Sequence, residues 1–79
     1  MAQDRSSNEV KAYLEKIAPE LGMDSLLIRT TNALVRGGIN TMKKLSEADE
    51  EKLARVRNMG EKTLAFALLA RDRYRIENT

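Results

Sequence analysis

The apolar residues of this chain recur every three or four positions, and glycines interrupt the pattern between segments. Such spacing places apolar side chains on one side of an α-helix, whereas a half-buried strand would need strict alternation. No segment alternates apolar and polar residues for long enough to predict a strand. The chain has 79 residues, which is enough for one small domain. The sequence therefore predicts a compact all-α domain of five helices, two of them short, joined by short turns.

Residues that start and stop helices divide the chain into these five segments. The Ser6-x-x-Glu9 spacing of a capping box predicts that the first helix begins near residue 7 or 8. Capping residues, proline and glycine predict the other boundaries. The later helices are expected to begin after Asp24-Ser25, Asn40-Thr41, Ser46 and Gly60, and the five helices to end at Pro19–Gly22, Gly37-Gly38, Leu45, Val56 and Arg75.

Cysteine and histidine are both absent from the chain. Their absence removes thiolate nucleophiles, zinc sites built on these residues and the side chain best suited to proton transfer near neutral pH. The longest apolar run, Leu64 to Ala70, is too short to span a bilayer, and the N-terminus lacks the apolar core of an export signal. The sequence therefore predicts an intracellular protein that is not an enzyme and that needs no cofactor or metal.

The formal net charge of +2 conceals an uneven distribution. Residues 1–24 carry five acidic and three basic side chains, whereas residues 25–79 carry eleven basic and seven acidic ones. The second part of the chain therefore suits a polyanion partner. A charged helix face that is merely solvated is the alternative interpretation.

One group of polar residues lies on the predicted second helix. Two arginines, an asparagine and an alanine share one face of it, because they lie three, four and seven positions apart. Guanidinium and amide groups suit phosphate oxygens and a narrow minor groove, and the small side chain permits close approach. This stripe consists of Arg29, Asn32, Ala33 and Arg36, and the face predicted to pack inward consists of Leu27, Ile28, Thr31, Leu34 and Val35. Ordinary solvation of the stripe is the alternative.

A second group lies where a turn precedes the last helix, in residues 56–64. Gly60 directly before a helix leaves the first amides of that helix free to bind an anion, and Lys62 and Thr63 can contact the same phosphate. Glu61 favours the helix dipole but repels a phosphate. A purely structural turn is the alternative.

Together the two groups resemble the C-terminal domain of the bacterial RNA polymerase α subunit, over about residues 21–76. The matching segments are Leu26-Leu27-Ile28-Arg29-Thr30-Thr31-Asn32-Ala33-Leu34, Gly38-Ile39-Asn40-Thr41 and Val56-Arg57-Asn58-Met59-Gly60-Glu61-Lys62-Thr63-Leu64. The resemblance implies an all-helical fold of helix–hairpin–helix character that binds the minor groove of A·T-rich promoter DNA and docks transcription activators.

The resemblance also implies which residues contact DNA. Arg29 is expected to enter the groove, while Gly60 and Lys62 hold the backbone. The implied contacts are Arg29, Asn32, Ala33, Gly60, Lys62 and Thr63, and Asn58 is implied to support the turn. Asn58 and Arg36, the last residue of the stripe, are expected as secondary contacts. Two positions depart from the family pattern: Glu61 stands where a basic residue is common, and Phe66 where the family often has an acidic contact residue.

Residues 1–22 are predicted to add a tail and an amphipathic helix to the family domain, which would occupy residues 23–79. The apolar stripe of this helix is expected to cover the second face of the last helix, within one chain or between two chains of a weak homodimer. The stripe consists of Val10, Tyr13, Leu14 and Ile17, and the face that it covers carries Phe66 and Leu69, which point away from the core side formed by Leu64, Ala67 and Leu68. The chain is interpreted as a stand-alone relative, or as an excised piece of a longer protein.

The leading functional interpretation is a transcription-associated module that binds A·T-rich double-stranded DNA in the bacterial cytoplasm, associated with the nucleoid. RNA polymerase or transcription activators are further expected partners, and a membrane is not. The alternative is an interaction adaptor that mimics the polymerase domain to engage or titrate transcription regulators, which Glu61 and Phe66 favour. A helix–hairpin–helix piece of a repair enzyme would explain the hairpin, but not the spacing of Arg29 and Asn32.

Overall fold

The computed structural model describes the backbone of residues 2–78 and the side chains of residues 9–78. Its α-helices are α1 (Ala2–Leu21), α2 (Leu27–Arg36), α3 (Met42–Glu47), α4 (Glu50–Ala54) and α5 (Glu61–Glu77), and a 3-10 turn at Asp24–Leu26 precedes α2. Residues 2–78 contain no strand, so the all-α prediction of five helices, two of them short, is confirmed. No helix in this described part of the protein combines the length and the apolar character that a membrane crossing requires.

α1 and α2 end in the same way, at a glycine in the left-handed conformation. The angle φ is +68° at Gly22 and +85° at Gly38, a region that residues with a Cβ disfavour. The amide that follows each glycine donates to the carbonyl five residues earlier, at 2.9 Å in α1 and 2.8 Å in α2. These bonds pair carbonyls that a helix end would otherwise leave free. Gly22 and Gly38 therefore end their helices as predicted, whereas Pro19 lies inside α1.

Side-chain oxygens begin the two short helices. Thr41 Oγ1 accepts an amide hydrogen bond from the first turn of α3 at 3.1 Å, as predicted. Asp49 Oδ1 does the same for α4 at 2.7 Å. The prediction that Ser46 begins a helix from Glu47 to Val56 is wrong, because Ser46 lies inside α3 and its hydroxyl donates to a carbonyl of that helix. The predicted cap by Asp24-Ser25 is also wrong, since neither the 3-10 turn nor α2 is capped by a side-chain hydrogen bond.

α1 begins at Ala2 rather than near residue 7 or 8, so the predicted capping box is wrong. The side chain of Ser6 lies outside the described residues. The Glu9 carboxylate accepts the N–H of Met42, the first residue of α3, at 2.6 Å. Glu9, which the capping-box pattern assigned to the start of α1, thus forms a hydrogen bond to α3 instead. It satisfies one of the amides that the start of α3 leaves without an intrahelical acceptor.

A single apolar core unites the helices. α1 contributes Val10, Leu14 and Ile17, which have no exposed surface, and burial of each stabilises the fold by about 1.5–3 kcal/mol before entropy. α1 packs along α2 and also contacts α3 and α5, so its stripe is covered within the protein itself. Phe66 is fully buried in the same core as Leu14 and Ile17, so its side chain is covered as expected, but the prediction that it lies on a face separate from the core is wrong. Leu69 is 43% exposed, so the prediction that α1 covers it is wrong.

Tyr13 ties α1 to the last turn of α5, which extends two residues beyond its predicted end. The Tyr13 ring stands edge-on to Tyr74 with the centroids 5.6 Å apart, and its hydroxyl donates to Glu77 Oε1 at 2.8 Å. Burial and this hydrogen bond raise the pKa of Tyr13 to about 12, and the same bond lowers the pKa of Glu77. Arg73 forms an ion pair with Glu20 of α1.

Candidate nucleic-acid interface

The polar stripe predicted on α2 faces outward. Arg29, Asn32 and Arg36 are at least partly exposed, whereas Ala33 is only 2% exposed and lies at the inner border of the stripe. Ile28 is 69% exposed, so the prediction that it packs inward is wrong. It lies four residues before Asn32 and therefore on the same side of the helix.

The stripe forms one wall of a concavity, here called the α2 groove, with a volume of about 610 Å³. It is lined by Ser25, Ile28, Arg29, Asn32, Ala33, Arg36 and Asn58. Six of these residues belong to α2 or to the turn before it, and the seventh, Asn58, comes from the turn before α5. The groove is therefore open along α2 and closed at one side by the second predicted group.

The second predicted group forms a smaller concavity, here called the hairpin hollow, of about 350 Å³. Its lining consists of Leu26, Arg29, Asn58, Gly60, Glu61, Lys62 and Thr63. Arg29 and Asn58 line both concavities. The two groups, which are separated by some thirty residues in the sequence, thus form one continuous face.

The turn before α5 is held by its own hydrogen bonds. Asn58 adopts φ of +70°, a conformation that asparagine tolerates better than most residues. Thr63 Oγ1 accepts the N–H of Gly60 at 2.7 Å and donates to the carbonyl of the same residue at 3.0 Å. The Thr63 hydroxyl is therefore engaged within the protein, and its side chain is buried.

The start of α5 presents backbone amides to the hairpin hollow. The first amides of an α-helix have no acceptor within the helix. Within residues 9–78 the Thr63 hydroxyl accepts the amide of Gly60, and helix geometry leaves the amides of residues 61–63 without an intrahelical acceptor and open to an anion. Gly60 has φ of −91°, and a Cβ there would contact nothing closer than Thr63 Oγ1 at 3.8 Å. The protein fold thus does not require glycine at position 60, and the missing side chain leaves the approach to these amides open.

The charges around this face are mixed. Arg29, Arg36 and Lys62 are basic, and Glu61 places one carboxylate among them. The described residues contain no cluster of acidic side chains that could hold a metal ion. The face is therefore suited to binding an anion through cationic side chains and backbone amides.

All eight residues that the sequence predicted as contacts line one or both concavities. Sequence reasoning missed Ser25, Leu26 and Ile28, which also line them. It also did not anticipate the close approach of Gly37, after α2, to the side chain of Val56, before α5. The Gly37-Gly38 pair was the signal that the sequence offered, because one glycine is enough to end a helix; in the structure only Gly38 has positive φ.

The fold and this face define a small helical domain with a concave surface on which basic side chains outnumber acidic ones. The profile of the C-terminal domain family of the bacterial RNA polymerase alpha subunit matches residues 4–65. The protein therefore belongs to that family, and the resemblance found in the sequence is confirmed. The matched residues include nearly all of α1 as well as both concavities.

Two curated relatives are DNA-directed RNA polymerase α subunits, from Desulforamulus reducens and Bacillus velezensis. Each is 36% identical to this protein over 61 residues, which cover 77% of this protein and 18% of the relative. The protein thus spans about a fifth of the length of these relatives. No solved structure matches it.

Proposed function

We propose that this domain is a non-enzymatic, transcription-associated module that docks on the minor groove of A·T-rich promoter DNA. Family membership supports DNA binding. The observation that carries the proposal is the continuity of the α2 groove and the hairpin hollow through Arg29 and Asn58. A single duplex can therefore contact the α2 groove and the hairpin hollow at the same time, so that the contacts of both concavities add to one binding event.

Arg29 is the residue that enters the groove in this proposal. It lies at the junction of the two concavities, and A-tracts have a narrow minor groove whose negative potential attracts guanidinium groups. Asn32 and Ala33 lie beside it on α2, where the alanine lets the helix approach closely. Arg36, one turn further along, reaches a flanking phosphate.

The start of α5 holds the DNA backbone. The amides of residues 61–63 and the Lys62 ammonium bind a phosphate that approaches over Gly60. Thr63 acts here as a positioning residue, since its hydroxyl is occupied by Gly60, while Asn58 shapes the turn. Glu61 opposes the phosphate, and the affinity of the isolated domain is therefore weak.

Titration of A·T-rich and G·C-rich duplexes at several salt concentrations tests the proposal. Wild type binds the A·T-rich duplex more tightly, and Arg29→Ala abolishes that preference. Lys62→Ala weakens binding to both duplexes and lowers the slope of log K against log salt by about 1, because one phosphate contact is lost.

Arg55→Ala is the matched control, because it removes the same charge outside both concavities. Arg55 is exposed and pairs with Glu51 at 2.7 Å. Equal effects of Arg55→Ala and Arg29→Ala on A·T preference would mean that only overall charge matters, and would refute the site.

The second candidate function is an adaptor that engages or titrates transcription regulators with little DNA binding. Glu61 in the hairpin hollow favours it. Phe66 does not, because it is buried and unavailable to a partner. Absence of duplex binding even at low salt, together with capture of a transcription regulator, would favour the adaptor.

Location, partners and oligomeric state belong to the same proposal. The domain acts in the bacterial cytoplasm at the nucleoid, with RNA polymerase or transcription activators as partners and no cofactor. We propose a monomer rather than a homodimer through α1, because Val10, Leu14 and Ile17 already pack in the core of their own protomer.

A further inference from the structure

We infer that Ile28 determines the base-pair preference of this face by disfavouring G·C pairs. The inference rests on the proposed function and adds a specificity-determining residue to it. Ile28 is 69% exposed, and it lines the α2 groove beside Arg29 and Asn32. Apart from Ala33 at the inner border, it is the apolar side chain of that groove.

The position of Ile28 places it where a bound duplex would lie. It precedes Asn32 by four residues, so the two share one side of α2, and Ser25, in the 3-10 turn before α2, lines the same groove. Arg29 is the next residue in the sequence and lines the same groove. A minor groove that receives the Arg29 guanidinium therefore brings the edges of neighbouring base pairs against the Ile28 side chain.

The stiffness of the side chain suits it to exclusion. Isoleucine is branched at Cβ and strongly prefers one χ1 rotamer in a helix, so it forms a fixed apolar wall. Holding it against a base pair costs little conformational entropy compared with a long flexible side chain.

The chemistry of the minor groove explains the expected preference. A·T and T·A pairs present only acceptor atoms there, whereas a G·C pair adds the exocyclic N2 amino group of guanine. Against the Ile28 side chain this amino group would lose water and gain no acceptor, and a desolvated, unpaired donor is costly. A·T pairs have no donor in the minor groove that could be left without a hydrogen-bond partner.

Duplexes of equal length with A·T, inosine·C or G·C centres test this inference on all 79 residues. Inosine·C lacks the N2 amino group. Wild type binds the A·T and inosine·C duplexes about fivefold or more tighter than the G·C duplex. Ile28→Ser reduces this ratio to below about twofold, chiefly by tighter binding to G·C, because the serine hydroxyl accepts a hydrogen bond from the amino group. Ile28→Val keeps the branched apolar side chain and keeps the ratio.

Ile76→Ser is the matched control. Ile76 is 76% exposed, near the end of α5 and outside both concavities, so its replacement removes an exposed isoleucine without touching the face. It leaves all three affinities unchanged. Thermal unfolding of each variant confirms that an exposed position has been changed without loss of the fold.

The outcomes separate this inference from the proposed function. If Ile28→Ser leaves the ratio unchanged while Arg29→Ala removes A·T preference, the inference is overturned and the proposed function stands. The inference is also overturned if Ile28→Ser lowers the affinity for all three duplexes by the same factor. It is overturned as well if Ile28→Ser leaves duplex binding unchanged and instead abolishes capture of a transcription regulator. Failure of the wild type to bind any duplex would overturn both.

Discussion

Gly37, at the end of α2, lies directly against the side chain of Val56, at the start of the turn before α5. A methyl group on Gly37 would lie 3.0 Å from Val56 Cγ1 and 3.2 Å from Cγ2, closer than ordinary van der Waals contact. An alanine at position 37 would therefore require the Val56 side chain to shift by a few tenths of an ångström, whereas the φ angle of −81° does not require glycine. Gly37 follows α2 and Val56 precedes the turn before α5, so we expect this contact to influence how the α2 groove and the hairpin hollow are placed relative to each other.

Gly37→Ala is expected to separate the two concavities. The added methyl group pushes Val56 outward, and overpacking of this kind costs about 1–3 kcal/mol of unfolding free energy. A·T-rich duplex affinity falls as well, because Arg29 and the start of α5 no longer meet one duplex in register. Urea unfolding and duplex titration measure the two effects.

The double variant Gly37→Ala with Val56→Ala provides the control. Val56→Ala removes both Cγ atoms, so the alanine at position 37 then has room. The two changes are expected to be strongly non-additive, with Gly37→Ala nearly neutral in the Val56→Ala background. Additive free energies, or a gain in stability from Gly37→Ala alone, would show that the contact does not influence how the two concavities are placed.

The sequence predicted helix boundaries correctly where a residue of the same segment determines them. Gly22, Gly38 and Thr41 act on their own segments, and each was recognised from the sequence. The failures occurred where a distant segment competes for a side chain. Glu9 has the spacing of a capping box, but its carboxylate binds the first amide of α3.

In the candidate site, too, local features could be predicted from the sequence, whereas features that depend on distant segments could not. The residues of the stripe and of the turn were found from spacing and from the resemblance, because helical periodicity and turn chemistry are local. Their junction through Arg29 and Asn58, and the exposure of Ile28, depend on how α2 is rotated against the core. That rotation is decided by packing of all the helices together, which a one-dimensional pattern does not contain.

Gly60→Ala is expected to affect binding without affecting the fold. Nothing in the protein lies closer to the added Cβ than Thr63 Oγ1 at 3.8 Å, and φ is −91°, so unfolding free energy changes by less than about 1 kcal/mol. The methyl group stands over the amides of residues 61–63, and affinity for every duplex falls. A variant that binds as tightly as wild type would exclude phosphate approach at this point.

α1 is expected to be part of the folding unit. Leu14 has no exposed surface, and Leu14→Ala should lower the unfolding free energy by about 2–4 kcal/mol, whereas Lys11→Ala on the exposed side of α1 should leave it nearly unchanged. Removal of residues 1–18 should abolish cooperative unfolding of the remainder. Retention of wild-type stability after that removal would instead support an independently folding domain at residues 23–79.

The contact between Tyr13 and Glu77 is expected to make stability fall at high pH. Burial, together with the hydrogen bond to Glu77, raises the pKa of Tyr13 from 10.0 to about 12. A pKa that is higher in the folded state means that the folded protein holds this proton more tightly. The stability that it contributes is therefore fully present below about pH 10 and is lost as pH rises towards 12.

Tyr13→Phe isolates this effect, because it keeps the ring that packs on Tyr74 and removes the hydroxyl. Unfolding free energies of wild type and Tyr13→Phe are measured across the alkaline range, with Tyr74→Phe as a second reference. The advantage of wild type over Tyr13→Phe should shrink between about pH 10 and pH 12, and the tyrosinate absorbance that appears near pH 12 should be lost in Tyr13→Phe. An advantage that stays constant over this range would mean that the Tyr13 hydroxyl does not donate to Glu77 in solution, and that α1 and the end of α5 are held together by apolar packing and the ion pair of Glu20 with Arg73 alone.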